Sequence, residues 1–108
     1  MSQLLIQNLL DALAVSPDNI PLRLQVADLM VKEKMFTEAA EQFQLVLNKS
    51  YGNSKAQLGL AHCYFAQEKY SAAIIIYEQA GSMPAEDQLI YIKCLIRENS
   101  IAQAVNEY

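Results

Sequence analysis

The chain has 108 residues, 53% of them hydrophobic and 19% charged, a composition typical of one small globular domain with a single core. Twelve acidic against eight basic residues give a net charge of −4, which disfavours nucleic acid as a partner because phosphate binding needs clustered cations. The two cysteines, Cys63 and Cys94, form no disulfide or metal-binding motif. We therefore predict no metal, no cofactor and a reducing, cytoplasmic setting.

The first predicted element is a helix that begins near Leu5. Apolar residues recur at three- and four-residue spacing through Leu9 and Leu13, and the run from Ser16 to Asn19 is expected to be the exit turn. The segment lacks a cationic start, so we do not interpret it as a secretory signal. No apolar stretch in the chain approaches the roughly 20 residues of a membrane-spanning helix, and no membrane partner is predicted.

The same helical spacing continues through the rest of the chain, and the alternation typical of strands is absent. Hydrophilic breaks at residues 16–21, 50–54 and 81–84 separate the segments. Asn19 suits the start of one helix, either Asn53 or Ser54 can cap the next long one, and Pro84 precedes an acidic first turn formed by Glu86 and Asp87. These signals predict an all-α chain of about seven helices.

The chain is similar to itself when it is shifted by 34 residues. Identical residues then coincide as Leu24 with Leu58, Ala27 with Ala61, and Ala39 with Ala73. A shift of 31 adds a third copy, which pairs Leu58, Cys63, Ala73 and Tyr77 with Leu89, Cys94, Ala104 and Tyr108. Small residues recur where helices approach closely, and large ones recur where a space between helices must be filled.

The repeats divide one domain, residues 1–108, into four units. We predict a half repeat at 1–19, repeats at 20–53 and 54–84, and a partial repeat at 85–108, and we expect the chain to be a fragment of a longer protein.

The stretch from Leu58 to Ala80 carries small, aromatic and alanine residues in an order that resembles the tetratricopeptide repeat family, and the resemblance covers nearly the whole chain. It implies a right-handed α-solenoid of antiparallel helix pairs with a concave inner face. Lys34 and Glu68 depart from the family pattern, because glycine is usual at that position of the inter-helix turn. Ile92 replaces a small residue of the earlier units and predicts an irregular last helix pair.

No motif predicts catalysis. His62, the sole histidine, lies about 100° around a helix from Cys63, so the two side chains cannot form a hydrogen-bonded nucleophile pair. Cys63 and Cys94 are interpreted as reduced thiols packed between helices. The neighbouring carboxylates Glu86 and Asp87 diverge on a helix, and no glycine-rich phosphate loop is present. We predict that the chain is not an enzyme.

The first helix of each unit is expected to line the concave face and to bind a protein or peptide there. The predicted groove residues are Leu24, Asp28, Val31, Lys55, Leu58, His62, Phe65, Leu89, Lys93, Ile96 and Arg97, with Gln25, Lys32, Gly59 and Ile90 beside them. Apolar side chains would supply binding energy and charged ones would set orientation. The alternative is that the groove leucines pack between repeats.

Some members of the family hold a C-terminal carboxylate inside the groove with lysine, asparagine and arginine side chains. Leu24, Asp28 and Gly59 stand where that clamp needs a lysine and two asparagines. The resemblance therefore disfavours a carboxylate-binding groove.

The outer helix offers a second candidate surface. Ile75 and Ile76 align with the polar residues Glu41 and Gln42, and exposed apolar patches usually mark contacts. Either a neighbouring chain covers Ile75 and Ile76, or the full-length protein folds back over them. In the first case Ile75 and Ile76, together with Val105 and Tyr108 at the C-terminal end, are predicted to promote self-association, for example into a homodimer.

Two functions therefore stay open. The first is a non-catalytic scaffold that binds a peptide or a partner domain through its groove. The second is an N-terminal assembly or self-association segment of a larger multidomain protein, because the run from Val15 to Leu24 is weakly similar to repeats found ahead of bacterial AAA-class ATPase domains.

Overall fold

A computed structural model describes residues 2–106, with side chains placed for residues 3–99. Within that range the chain forms helices and no strands, which confirms the all-α class. The elements are α1 (Ser2–Val15), α2 (Ile20–Lys32), α3 (Phe36–Lys49), α4 (Ser54–Ala66), α5 (Tyr70–Ala80) and α6 (Ala85–Asn106). Residues 2–106 thus contain six helices, close to the seven predicted, because Ala85–Asn106 is one continuous helix.

Asparagine side chains cap the N-termini of α2 and α4. The Asn19 side chain accepts a hydrogen bond from the Leu22 amide at 3.1 Å, and the Asn53 side chain accepts one from the Ala56 amide at 3.1 Å. Pro21 occupies the first turn of α2, where its missing amide hydrogen costs nothing. Such caps contribute about 1 kcal/mol each, so α2 and α4 begin at well-defined residues.

The turns inside the two helix pairs repeat each other. Lys34, between α2 and α3, has φ 61°, and Glu68, between α4 and α5, has φ 63°. In both turns the next amide donates to the carbonyl five residues earlier at 2.8 Å, the hydrogen bond of a Schellman motif. These are the two positions where the sequence departs from glycine, and both residues adopt the left-handed conformation that favours glycine.

The helices form an elongated solenoid. Each helix packs on the next along the chain, α2 also contacts α4, and α4 also contacts α6. The even-numbered helices α2, α4 and α6 therefore lie side by side as one layer, with α3 and α5 as the other. The molecule measures 54 × 28 × 23 Å, and its radius of gyration of 15.4 Å exceeds the roughly 13 Å of a compact domain of this length.

The core follows the repeat. The alanine pairs at both shifted positions are fully buried, as are the large side chains that fill the spaces between helices; these residues are Ala27, Ala61, Ala39, Ala73, Phe43 and Tyr77. The two cysteines are also buried, in line with the expectation that they pack between helices. Ile92, which replaces a small residue of the earlier units, is 50% exposed instead.

Candidate functional site

Two adjoining hollows lie along α2 and α4 on the layer formed by the even-numbered helices. The first has a volume of about 320 Å³ and is lined by Asp28, Val31, Phe43, Lys55, Leu58, Gly59, His62 and Asp87. The second has a volume of about 390 Å³ and is lined by Ile20, Pro21, Leu24, Gln25, Asp28, Asn53 and Lys55. Because Asp28 and Lys55 line both hollows, we treat the two as one surface, the α2–α4 groove.

The floor of the groove depends on a glycine in the middle of α4. A Cβ atom added to Gly59 would lie 2.3 Å from Cζ of Phe43, far inside van der Waals contact. The ring of Phe43, which belongs to α3 and is 1% exposed, therefore reaches beneath α4 and lines the hollow. Phe43 is not among the groove residues predicted from the sequence, and the glycine inside a helical pattern was the available signal for this close approach.

One wall of the groove is a stacked pair of rings. The imidazole of His62 lies 6.1 Å from the ring of Phe36, centroid to centroid, with 20° between the two planes. This geometry is the offset stacking that aromatic rings prefer. His62 is half-buried, so one part of its ring contacts α3 and another part faces the hollow.

Charged groups of both signs surround the hollow. The phenol of Tyr77 donates to Oδ1 of Asp87 at 3.3 Å, and burial together with this carboxylate raises the pKa of Tyr77. The phenol therefore remains a donor that orients Asp87. Among the described side chains, Asp28 and Lys55 make no hydrogen bond to another side chain, so both are available to a ligand. Asp87 was interpreted from the sequence only as an acidic residue of a first helical turn.

Two other predicted groove residues, Phe65 and Arg97, meet at Tyr70 and line neither hollow. The rings of Phe65 and Tyr70 lie 6.0 Å apart, and the guanidinium carbon of Arg97 lies 5.7 Å from the centre of the Tyr70 ring. Nη1 of Arg97 also donates to the Tyr70 hydroxyl at 3.2 Å. Arg97 thus joins α6 to the start of α5.

The remaining predicted groove residues on α6, Leu89, Lys93 and Ile96, are exposed and line neither hollow. Leu89 is 56% exposed and Ile96 is 59% exposed. Four exposed apolar side chains of α6 form what we call the α6 apolar face: Leu89, Ile92, Leu95 and Ile96.

Of the residues predicted to promote self-association, the structure describes Ile75 and Ile76, and the two differ in exposure. Ile75 is 54% exposed, but Ile76 is half-buried and packs against the core. Expecting both isoleucines on the solvent side was wrong for Ile76, because adjacent residues on a helix point about 100° apart. The side chains of Val105 and Tyr108 lie outside the described residues.

Within the described residues we also looked for a membrane-spanning helix, a metal site and a reactive thiol. Across residues 2–106 no helix is both long enough and apolar enough to span a bilayer. Over the same described range no group of three or more His, Cys, Asp or Glu residues is placed to hold a metal ion. Burial raises the pKa of the Cys63 thiol to about 11, so this sulfur remains protonated and a poor nucleophile near neutral pH.

The comparison with known families supports the repeat analysis. A family model described as a tetratricopeptide repeat matches residues 30–89, which is more than half of the chain. The match runs from the last turn of α2 to the first turn of α6, and so includes both hairpin turns and the Gly59–Phe43 contact. No curated protein matches the chain. On the strength of this match and of the paired helices, the chain belongs to the tetratricopeptide repeat family.

Proposed function

We propose that the chain is a non-catalytic protein–protein interaction module that binds a peptide or a segment of a partner protein in the α2–α4 groove. Membership of a repeat family whose arrays serve as interaction scaffolds supports this proposal. The observation that carries it is that side chains of the α2–α3 pair and of α4 line one hollow. Two charged groups of that hollow, Asp28 and Lys55, make no hydrogen bond to another described side chain and can bind a ligand.

The side chains that line the groove indicate which kind of ligand it can bind. Val31, Leu58 and the ring of Phe43 offer apolar contact, while carboxylate and ammonium groups stand around them. The larger cavity volume of about 390 Å³ suits one or two side chains of a ligand. We therefore expect a segment with an apolar anchor flanked by charged residues, in which a basic side chain meets Asp28 or Asp87 and an acidic one meets Lys55.

The test selects ligands from a displayed library of random peptides and measures the dissociation constant of the best one by fluorescence anisotropy. Leu58→Lys should weaken binding by about 10-fold or more, because burying a leucine contributes about 1.5–3 kcal/mol. The matched control is Ile75→Glu on the outer helix, which should leave affinity unchanged. Equal affinity for the wild type and Leu58→Lys, with circular dichroism intact, would contradict groove binding.

A second candidate function is assembly of a larger protein, in which the repeats dock to identical copies or to their own parent chain, as in an N-terminal segment of an AAA-class ATPase. The observation that favours it is the 54% exposure of Ile75 on the outer helix α5. Light scattering over a range of concentrations tests it. Self-association predicts a mass above 12.1 kDa that Ile75→Glu reduces, whereas a constant monomer mass would contradict it.

A further inference from the structure

Carboxylates outnumber ammonium groups in the α2–α4 groove. Its first hollow is lined by the carboxylates of Asp28 and Asp87 and by the ammonium group of Lys55. Among the described side chains Lys55 forms an ion pair with neither carboxylate. The chain as a whole is acidic as well, with a net charge of −4. The groove is therefore complementary to a cationic ligand group rather than to an anionic one.

Asp87 is the carboxylate that gains most from a cation. It is half-buried, so the protein displaces part of the water that would solvate its charge. Its hydrogen bond from a described side chain comes from the Tyr77 phenol to Oδ1, and that donor carries no charge. Oδ2 makes no hydrogen bond to the described residues, which leaves it available to a ligand in the hollow.

The wall that contains His62 favours a flat cation. The imidazole stacks on Phe36 with 20° between the two planes, and it also lines the hollow. A planar guanidinium can therefore add a third layer to this stack. A guanidinium also has five N–H donors in one plane, which can reach two carboxylates at once, whereas the ammonium group of a lysine is a compact point charge.

We propose that the α2–α4 groove binds an arginine side chain of a partner protein segment, with the guanidinium stacked on His62 and hydrogen-bonded to Asp28 and Asp87. This inference rests on the proposed groove-binding function and names the basic residue of its ligand. The methylene stem of the arginine would contact Leu58, which lines the same hollow. At about 320 Å³ the hollow is at the small end of the range of ligand pockets, which suits one side chain.

Peptides selected from the displayed random library test the proposal first. We expect one arginine to be enriched at a fixed distance from an apolar residue. The best peptide is then synthesised with arginine, lysine or citrulline at that position, because citrulline keeps the planar shape and lacks the charge. In fluorescence anisotropy, citrulline should weaken binding by about 10-fold or more and lysine by a smaller factor. Lysine or citrulline that binds as tightly as arginine would overturn the proposal.

Variants of two neighbouring carboxylates locate the contact in the groove. Asp87→Asn removes the charge but keeps an oxygen that can accept from Tyr77. It should weaken the arginine peptide by about 10-fold and leave the citrulline peptide nearly unchanged. Glu86→Gln is the matched control, since Glu86 lies in the same helical turn, is exposed and lines neither hollow. Equal losses for both peptides in Asp87→Asn, or an equal loss in Glu86→Gln, would overturn the assignment.

Leu58→Lys separates failure of this inference from failure of the proposed function. Selected peptides that lose affinity in Leu58→Lys but show no enriched arginine would overturn the arginine site and leave groove binding in place. Peptides whose affinity Leu58→Lys leaves unchanged, with circular dichroism intact, would contradict groove binding and the arginine site together.

Discussion

The contact between Gly59 and Phe43 makes a sharp prediction for Gly59→Ala. Two effects oppose each other at this position. Alanine is the better helix former, which should stabilise α4 by about 1 kcal/mol. The added methyl group, however, would lie 2.3–2.6 Å from three atoms of the Phe43 ring, and that ring belongs to the core and is 1% exposed.

The steric cost should exceed the gain in helix propensity. Overpacking a core typically costs about 1–3 kcal/mol, and a displacement of more than about 1 Å for a buried ring belongs at the upper end of that range. We therefore expect Gly59→Ala to lower the free energy of unfolding by about 2 kcal/mol. For a domain of this size that corresponds to a fall in Tm of about 8 °C or more.

A double-mutant cycle monitored by urea denaturation tests the cause. Leucine at position 43 lacks the three ring atoms that clash, so Gly59→Ala in a Phe43→Leu background should become stabilising by up to about 1 kcal/mol. Gly52→Ala is the matched control, because nothing lies within 4 Å of a Cβ atom there, and its effect should be small. An equal loss of stability from Gly59→Ala in both backgrounds would refute the role of the ring.

Three further predictions concern the turns and the buried polar groups. Glu68→Gly should raise the free energy of unfolding by up to about 1 kcal/mol in urea denaturation, because it removes a left-handed glutamate, while Glu38→Gly in the first turn of α3 should lower it. Tyr77→Phe should lower the same quantity by about 1 kcal/mol by removing the hydrogen bond to Asp87, and Asp87→Asn measured alongside it should show a non-additive double mutant. The folded-state pKa of Cys63 is raised to about 11, so its contribution to stability is complete below the unfolded-state value of 9.0 and is lost as the pH rises toward 11. The loss between pH 8 and pH 11 should be smaller in Cys63→Ala by at most about 2–3 kcal/mol, and parallel pH profiles for the two proteins would contradict this assignment.

The repeat explains why the fold was accessible from the sequence. Ala27 and Ala61 are 34 positions apart and both fully buried, because each lies where two helix backbones approach and only a small side chain fits. The cap at Asn19 was equally predictable and the second cap was narrowed to Asn53 or Ser54, since a side chain that accepts a backbone hydrogen bond acts within one turn. Constraints that are local or that recur with the repeat can therefore be recognised in a single sequence.

The site was less accessible, because it depends on distances between elements. Alignment with the polar Gln42 placed Ile76 at the surface, but its burial depends on how α5 is rotated against the core. Phe65 and Arg97 were assigned to the groove from helical spacing, but both contact Tyr70 at the start of α5 instead of lining a hollow. Helical spacing defines which side chains share a face, whereas the choice of contact between faces is made by packing.

The Gly59–Phe43 contact also joins the stability of the array to the shape of its groove. Phe43 belongs to the buried core and at the same time lines the hollow, so a substitution that moves its ring changes both packing and the floor available to a ligand. Loss of binding in Gly59→Ala would therefore not identify the groove. Leu58 and Lys55 lie on the same helix, line the same hollow and are outside the buried core, so binding measured on their variants reports the groove itself.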